Sequence, residues 1–169
     1  MSKCIILVGH GGVPTDCPAQ LVAEFKRQEA AAHGRPTPQL QEADVKLRRW
    51  PRTPETDPYK TGLEAIARAL CAALPDHFVL EAYNEFCAPT LEEAFAAALK
   101  RGARAVTVIS TMYTRGGVHS ERELPKIVER LRRAHPDVDL RYVWPFDLTA
   151  VAGMLAAEAR RAEGARPPQ

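Results

Sequence analysis

The chain has 169 residues, the size of one domain with room for an insertion, and at this length a core forms without staples. Its 46% hydrophobic and 26% charged residues exclude wholesale disorder, and no apolar run approaches the ~18–20 residues of a membrane span. The 23 basic and 21 acidic residues leave a net charge of +2, too even a balance for a dedicated nucleic-acid binder.

Cys4 to Val8 is a continuous apolar run that stops at Gly9-His10-Gly11-Gly12, the pattern of a strand buried on both faces. No small-residue cleavage site follows it, so no signal peptide and a cytoplasmic location are expected. Cys4, Cys17, Cys71 and Cys87 form no C-x-x-C pair and are expected as reduced thiols. The segment 13–56 has a different texture. It holds Pro14, Pro18, Pro36, Pro38, Pro51 and Pro54 of the 14 prolines. Two helical pieces fit inside it, one carrying Leu21, Val22, Phe25 and Ala32, the other Leu40, Ala43, Leu47 and Trp50. It reads as a helical insertion after the first strand, placed as a lid over the strand ends.

Asp57-Pro58 opens a helix as N-cap and first helical residue, and Leu63, Ile66, Ala67, Leu70 and Leu74 mark its apolar face. Phe78 to Leu80 is a strand. Thr90 with Glu93 makes a capping box before Leu91, Phe95, Ala98 and Leu99, and Gly102 ends that helix. Val106 to Ile109 is a third strand. A helix starting just before Pro125 carries Leu124, Ile127, Val128 and Leu131. Leu140 to Trp144 is a fourth strand. A last helix carries Asp147, Leu148, Val151, Met154, Leu155 and Ala159 before a tail, 164–169, expected to fray. This alternation predicts an α/β fold, an open parallel sheet with helices on both faces, in a single domain over 1–169.

Ligands of such sheets bind beyond the carboxyl ends of the strands. His10 falls there after the first strand and Asn84 and Glu85 after the second. Thr111, Tyr113, Arg115 and, past a glycine loop, His119 come after the third. Two imidazoles and a carboxylate are a ligand set for Fe²⁺, Co²⁺, Ni²⁺ or Zn²⁺, and equally an acid–base set. His33, His77 and His135 receive no role. Arg48, Arg49 and Arg52, with Trp50 and Tyr59 nearby, suit a clamp for the carboxylates or phosphates of a large planar anion. No G-x-G-x-x-G, P-loop or G-x-S-x-G motif occurs, so neither a nucleotide nor an α/β-hydrolase site is expected.

These residues resemble a family. Ile5-Ile6-Leu7-Val8-Gly9-His10-Gly11-Gly12 is similar to the L-x-x-H-G-S opening of the class II chelatases of CbiX/SirB type, the sirohydrochlorin cobalto- and ferrochelatases. Ala82 to Ala94 resembles their F-L-E-x-x-x-P stretch. Val108 to Met112 followed by Gly116-Gly117-Val118-His119 and Glu123-Leu124-Pro125 resembles their strand, G-x-H and D-I-P elements. Trp144-Pro145-Phe146 stands at their x-x-P-l-G segment, with Phe146 in place of glycine, and Gly12 replaces the usual serine. The resemblance covers Lys3 to Val13 and about Asp57 to Ala150, and leaves out the insertion.

The resemblance implies a sheet of flavodoxin/chelatase type and insertion of Fe²⁺, Co²⁺ or Ni²⁺, as substrate, into sirohydrochlorin or a related porphyrin, with no nucleotide or redox cofactor. It implies His10, Glu85 and His119 as metal and proton-transfer residues. Arg48, Arg49, Arg52, Arg115 and Tyr113 are then the expected tetrapyrrole contacts. Single-lobe members pair as homodimers, so a homodimer is implied. The rival readings are a non-catalytic tetrapyrrole or metal carrier of the same fold and an interaction protein docking through the insertion. A His-dependent phosphohydrolase is disfavoured, because Gly9 stands where that chemistry wants arginine.

Overall fold

The structure, a computed structural model, describes residues 2–164. Residues 165–169 of the tail expected to fray lie outside the described residues. The elements run β1 (Ser2–Gly9), α1 (Ala19–Ala32), α2 (Pro38–Arg48), α3 (Pro58–Ala73), β2 (His77–Tyr83), α4 (Leu91–Lys100), β3 (Ala103–Ser110), α5 (Leu124–Ala134), β4 (Asp139–Val143) and α6 (Leu148–Gly164). The strands form one parallel sheet in the order β2-β1-β3-β4. The order reverses at β1, so a crevice opens beyond the carboxyl ends of β1 and β3, the place where such sheets bind ligands.

Alternation along β1 divides the core. Cys4, Ile6 and Val8 face Val106, Val108 and Ala82 of the neighbouring strands and are sealed by Leu91, Phe95 and Ala98 of α4 and Leu124, Val128 and Leu131 of α5. Leu7 faces the other way, with Tyr83, Cys87 and α3's Leu63 and Ala67. Asp57 caps α3 through the Lys60 amide, and Thr90 and Glu93 close the capping box of α4. Both caps stand where the sequence places them.

Three features go beyond the sequence reading. Helices α1 and α2 pack on each other around Phe25, Ala43 and Leu47, and Phe86, from the loop after β2, packs partly against this small core. A π-helical turn, His119–Glu123, precedes α5, its wide ring closed by the Leu124 amide on the His119 carbonyl. The last helix forms as expected, yet none of its residues is buried, with Leu148, Met154 and Leu155 exposed. Among the described residues no helix is long and apolar enough to cross a membrane.

Candidate metal centre

Two loops meet beyond β1 and β2, and glycine lets them. The Asn84 amide donates to the Gly9 carbonyl at 2.9 Å and the Glu85 amide to the His10 carbonyl at 2.8 Å, continuing the strand ladder past both strands. Gly11 has φ +96°, and a Cβ there would lie 1.9 Å from the Glu85 carbonyl oxygen. Only glycine permits both that conformation and that approach. The His10 amide donates to the Tyr59 hydroxyl at 2.7 Å, so the first turn of α3 also holds the loop. Phe86, at φ +59°, turns the chain after Glu85.

His119 arrives from the other side of the crevice. The Ser120 hydroxyl, buried, donates to the Met112 carbonyl at 2.9 Å, and the Tyr142 hydroxyl donates to the Ser120 carbonyl at 2.9 Å. These two bonds tie the π turn to the loop after β3 and to β4.

The outcome is a three-residue cluster. His10, Glu85 and His119 each offer a ligand atom, all within 4.8 Å of one another. Glu85 lies between the imidazoles, one oxygen 3.8 Å from His10 Nε2 and the other 3.7 Å from His119 Nε2. Ligands at ~2.1 Å around a tetrahedral ion stand about 3.4 Å apart, so the cluster is close to coordination size. The rings meet edge to face with centroids 5.0 Å apart. Each ring has its far nitrogen tied down. His10 Nδ1 is 2.9 Å from the Gly11 carbonyl, and His119 Nδ1 is 2.7 Å from a Glu123 carboxylate oxygen. The Asn84 side-chain amide nitrogen also lies 2.8 Å from His119 Nδ1, so that nitrogen meets a donor as well as the Glu123 acceptor; in the tautomer that donates from both Nδ1 atoms, both Nε2 lone pairs face Glu85.

Glu123 is the residue the sequence reading passed over. It entered only as the first letter of Glu123-Leu124-Pro125, although its spacing of four from His119 signals a shared helical face. Asn84 also donates to its carboxylate at 3.0 Å. Burial pushes the Glu123 carboxyl up, but the hydrogen bonds from Asn84 and His119 outweigh it and hold the group below the usual carboxylate range.

The expected tetrapyrrole contacts divide. Arg48 and Arg52 do not form a surface clamp. Their side chains are only 14% and 7% exposed, and Nε, Nη1 and Nη2 of Arg48 and Nη1 and Nη2 of Arg52 are engaged by Asp44, Asp57 and backbone carbonyls. The sequence shows their charge, but not that a loop 35 residues downstream would absorb it. Arg49 pairs with Glu93 at the surface. Arg115 is exposed, its Nε 3.8 Å from Glu121. Tyr113 is exposed and meets Phe146 edge to face at 6.5 Å, with Trp144 against the same ring at 6.1 Å. Trp50 donates to Asp16. On the insertion side, Phe86 lies 6.1 Å from the His10 ring, backed by Phe25 at 5.8 Å. Two cavities of about 290 Å³ flank the cluster. One lies between Glu85, Asn84 and Glu123 and the insertion's Phe25, Leu40 and Asp44, the other among Thr111, Tyr113 and His119.

Fold and cluster together define a class, an α/β protein presenting an open two-histidine, one-carboxylate set at the switch point of a flavodoxin-like sheet. The chain belongs to the CbiX family, whose model matches residues 55–162, from just before α3 through most of α6. No curated protein matches the chain. Among solved structures, a putative cobalamin (vitamin B12) biosynthesis CbiX protein from Marinobacter aquaeolei VT8 is 18% identical, with a TM-score of 0.56, over 95% of this chain and 96% of that one. SirB from Bacillus subtilis with Fe³⁺ is 19% identical, with a TM-score of 0.57, over 98% of this chain and 49% of that one. The sirohydrochlorin chelatase SirB from Bacillus subtilis subspecies spizizenii, in complex with cobalt, is 19% identical, with a TM-score of 0.49, over 84% of this chain and 42% of that one. The chain thus spans about half the length of the SirB proteins or less, and nearly all of the Marinobacter protein. At these identities the likeness is one of fold.

Proposed function

We propose that the protein is a metal chelatase that inserts a divalent ion, Fe²⁺, Co²⁺ or Ni²⁺, into sirohydrochlorin or a related tetrapyrrole. One observation carries this reading: the Nε2 atoms of both imidazoles stand 3.7 and 3.8 Å from the two oxygens of the Glu85 carboxylate, three ligand atoms converging at the sheet edge. Family membership and the metal-bearing SirB structures support it.

In this reading His10 and His119 hold the incoming ion through Nε2 and Glu85 is the third ligand. Three ligands leave positions open for pyrrole nitrogens. The reaction exchanges one divalent cation for two pyrrole protons. Glu85 and the imidazoles that give up the ion are the bases beside the macrocycle, and their partial exposure lets those protons pass on to water. The macrocycle lies between the Phe86 and Tyr113 sides, with exposed Arg115 a cation for its carboxylates. The four free cysteines suit a cytoplasmic enzyme. A second copy supplies the other half of the cleft, as the twofold greater length of SirB suggests.

The test is a spectral assay with sirohydrochlorin and Co²⁺. Turnover beyond one equivalent is expected from the wild type, and its loss in a folded His10→Ala variant. A stop at one equivalent identifies a carrier instead, and wild-type turnover in His10→Ala removes the cluster from the chemistry.

A further inference from the structure

The loop 84–88 is neither helix nor strand, yet it carries Glu85. Its carbonyls turn into the protein, where unpaired oxygens are costly. Two insertion guanidiniums take them. Arg48 donates from Nη1 to the Cys87 carbonyl at 2.9 Å and the Tyr83 carbonyl at 3.4 Å, and from Nη2 to the Asn84 carbonyl at 2.8 Å. Its Nε is held by Asp44, one turn earlier on α2, at 2.7 Å. Arg52 donates to the Phe86 carbonyl, to the Gly12 carbonyl at 2.8 Å and to the carboxylate of Asp57, the N-cap of α3. The carbonyls on either side of Glu85 are thus clamped, and Arg52 also joins that loop to the one bearing His10. Phe86, the next residue, packs against the insertion's own core.

We infer that Arg48 and Arg52 are positioning residues of the metal site, and that the insertion 13–56 serves as the scaffold that aims Glu85 at His10 and His119. The inference rests on the proposed metal cluster and deepens it. A planar fork with five donors suits this work, because one side chain satisfies several carbonyls in fixed directions, whereas a lysine ammonium has no such geometry. Arg48 donates to its helical neighbour Asp44, to Tyr83 at the end of β2 and to Asn84 and Cys87 on either side of Glu85, so its effect on metal is assigned to Glu85. Arg52 touches both ligand loops and α3, so its loss is felt more widely.

The experiment is a titration with Co²⁺ alone, read by its visible spectrum, in the full chain and in Arg48→Met, Arg48→Lys, Glu85→Gln and the Arg48→Met/Glu85→Gln double variant, with circular dichroism confirming the fold. A partner behind a ligand is worth about 10–100-fold in metal affinity, which is the loss expected for Arg48→Met. Arg48→Lys, reaching one carbonyl, recovers part of it, and both variants take on the spectrum of the Glu85→Gln complex. In the Glu85→Gln background Arg48→Met adds less than about twofold, because the carboxylate it aims is gone. The inference is overturned if folded Arg48→Met binds Co²⁺ like the wild type, or if its loss multiplies with that of Glu85→Gln. Should Arg48→Met not fold, Arg48→Lys decides: an unchanged affinity and spectrum overturn the inference, and a Glu85→Gln-like spectrum supports it. A wild type that binds no Co²⁺ fails the metal cluster itself, a different result from intact binding that is indifferent to Arg48.

Discussion

Glu123, 2.7 Å from His119 Nδ1, favours the tautomer whose Nε2 lone pair faces the cluster, against the Asn84 amide nitrogen 2.8 Å from the same atom. An imidazole without that acceptor exchanges tautomers, and part of its population turns a protonated Nε2 toward the ion. Glu123→Leu is therefore expected to weaken Co²⁺ binding by about 10–100-fold, and Glu123→Gln, whose amide oxygen still accepts, by less. Titration with Co²⁺ gives the affinities, and nitrogen chemical shifts of the His119 ring report the tautomer. Equal affinity in Glu123→Leu would remove Glu123 from the site. Gly11 acts at the same scale through its missing side chain. Gly11→Ala drives a Cβ to 1.9 Å from the Glu85 carbonyl and asks alanine for φ +96°. The left-handed strain alone costs ~1–3 kcal/mol, and relieving the clash separates the His10 and Glu85 loops. Loss of Co²⁺ binding together with a lower thermal midpoint is the expected result, whereas a distant surface glycine such as Gly62, whose Cβ would meet nothing, tolerates alanine.

At the scale of elements, α4 separates stability from chemistry. Its capping box closes in both directions, the Glu93 amide donating to Thr90 Oγ1 and the Thr90 amide to the Glu93 carboxylate. Thr90→Ala should cost about 1 kcal/mol in urea unfolding and leave Co²⁺ affinity unchanged, because the hydrogen bonds of the box close between Thr90 and Glu93 themselves and reach none of His10, Glu85 and His119. A change in affinity would mean that α4 reaches the cluster. That box was legible because it is a local contact, two residues three apart whose partners are each other's backbone. The strands were legible as apolar runs, and His10, Glu85 and His119 by their places beyond the carboxyl ends of those runs. The inward turn of Arg48 and Arg52 was not legible, since a basic cluster reads the same whether it faces water or distant carbonyls. The π turn escaped for a related reason. Pro125 marked where a helix must begin, but the wide ring that stacks Glu123 over His119 is held by Ser120 on Met112 and by Tyr142, contacts from two other elements.

For the whole molecule, the two faces of the sheet are unequal. One is sealed by α4 and α5. The other is covered by α3 over β1 and β2, while Thr107, Ile109 and Val143 of β3 and β4 stay only half-buried. The last described element, α6, is a 17-residue helix with Leu148 at 73%, Met154 at 50% and Leu155 at 51% exposure. An apolar stripe on a helix this long calls for a partner. The second copy of the chain proposed above is a candidate for that partner. A stable pair buries about 800 Å² on each side. Light scattering on the eluting protein should then give about twice 18.6 kDa. Leu155→Glu, placing a charge in that stripe, should return the mass to one chain and leave the helix content intact, because no residue of α6 is buried in its own lobe. If Leu155→Glu stays paired, the contact lies elsewhere. If the monomeric variant still binds Co²⁺ but no longer metallates tetrapyrrole, the ion is held by one chain while the macrocycle needs two. Such a division is what the geometry leads one to expect, since His10, Glu85 and His119 all come from a single lobe.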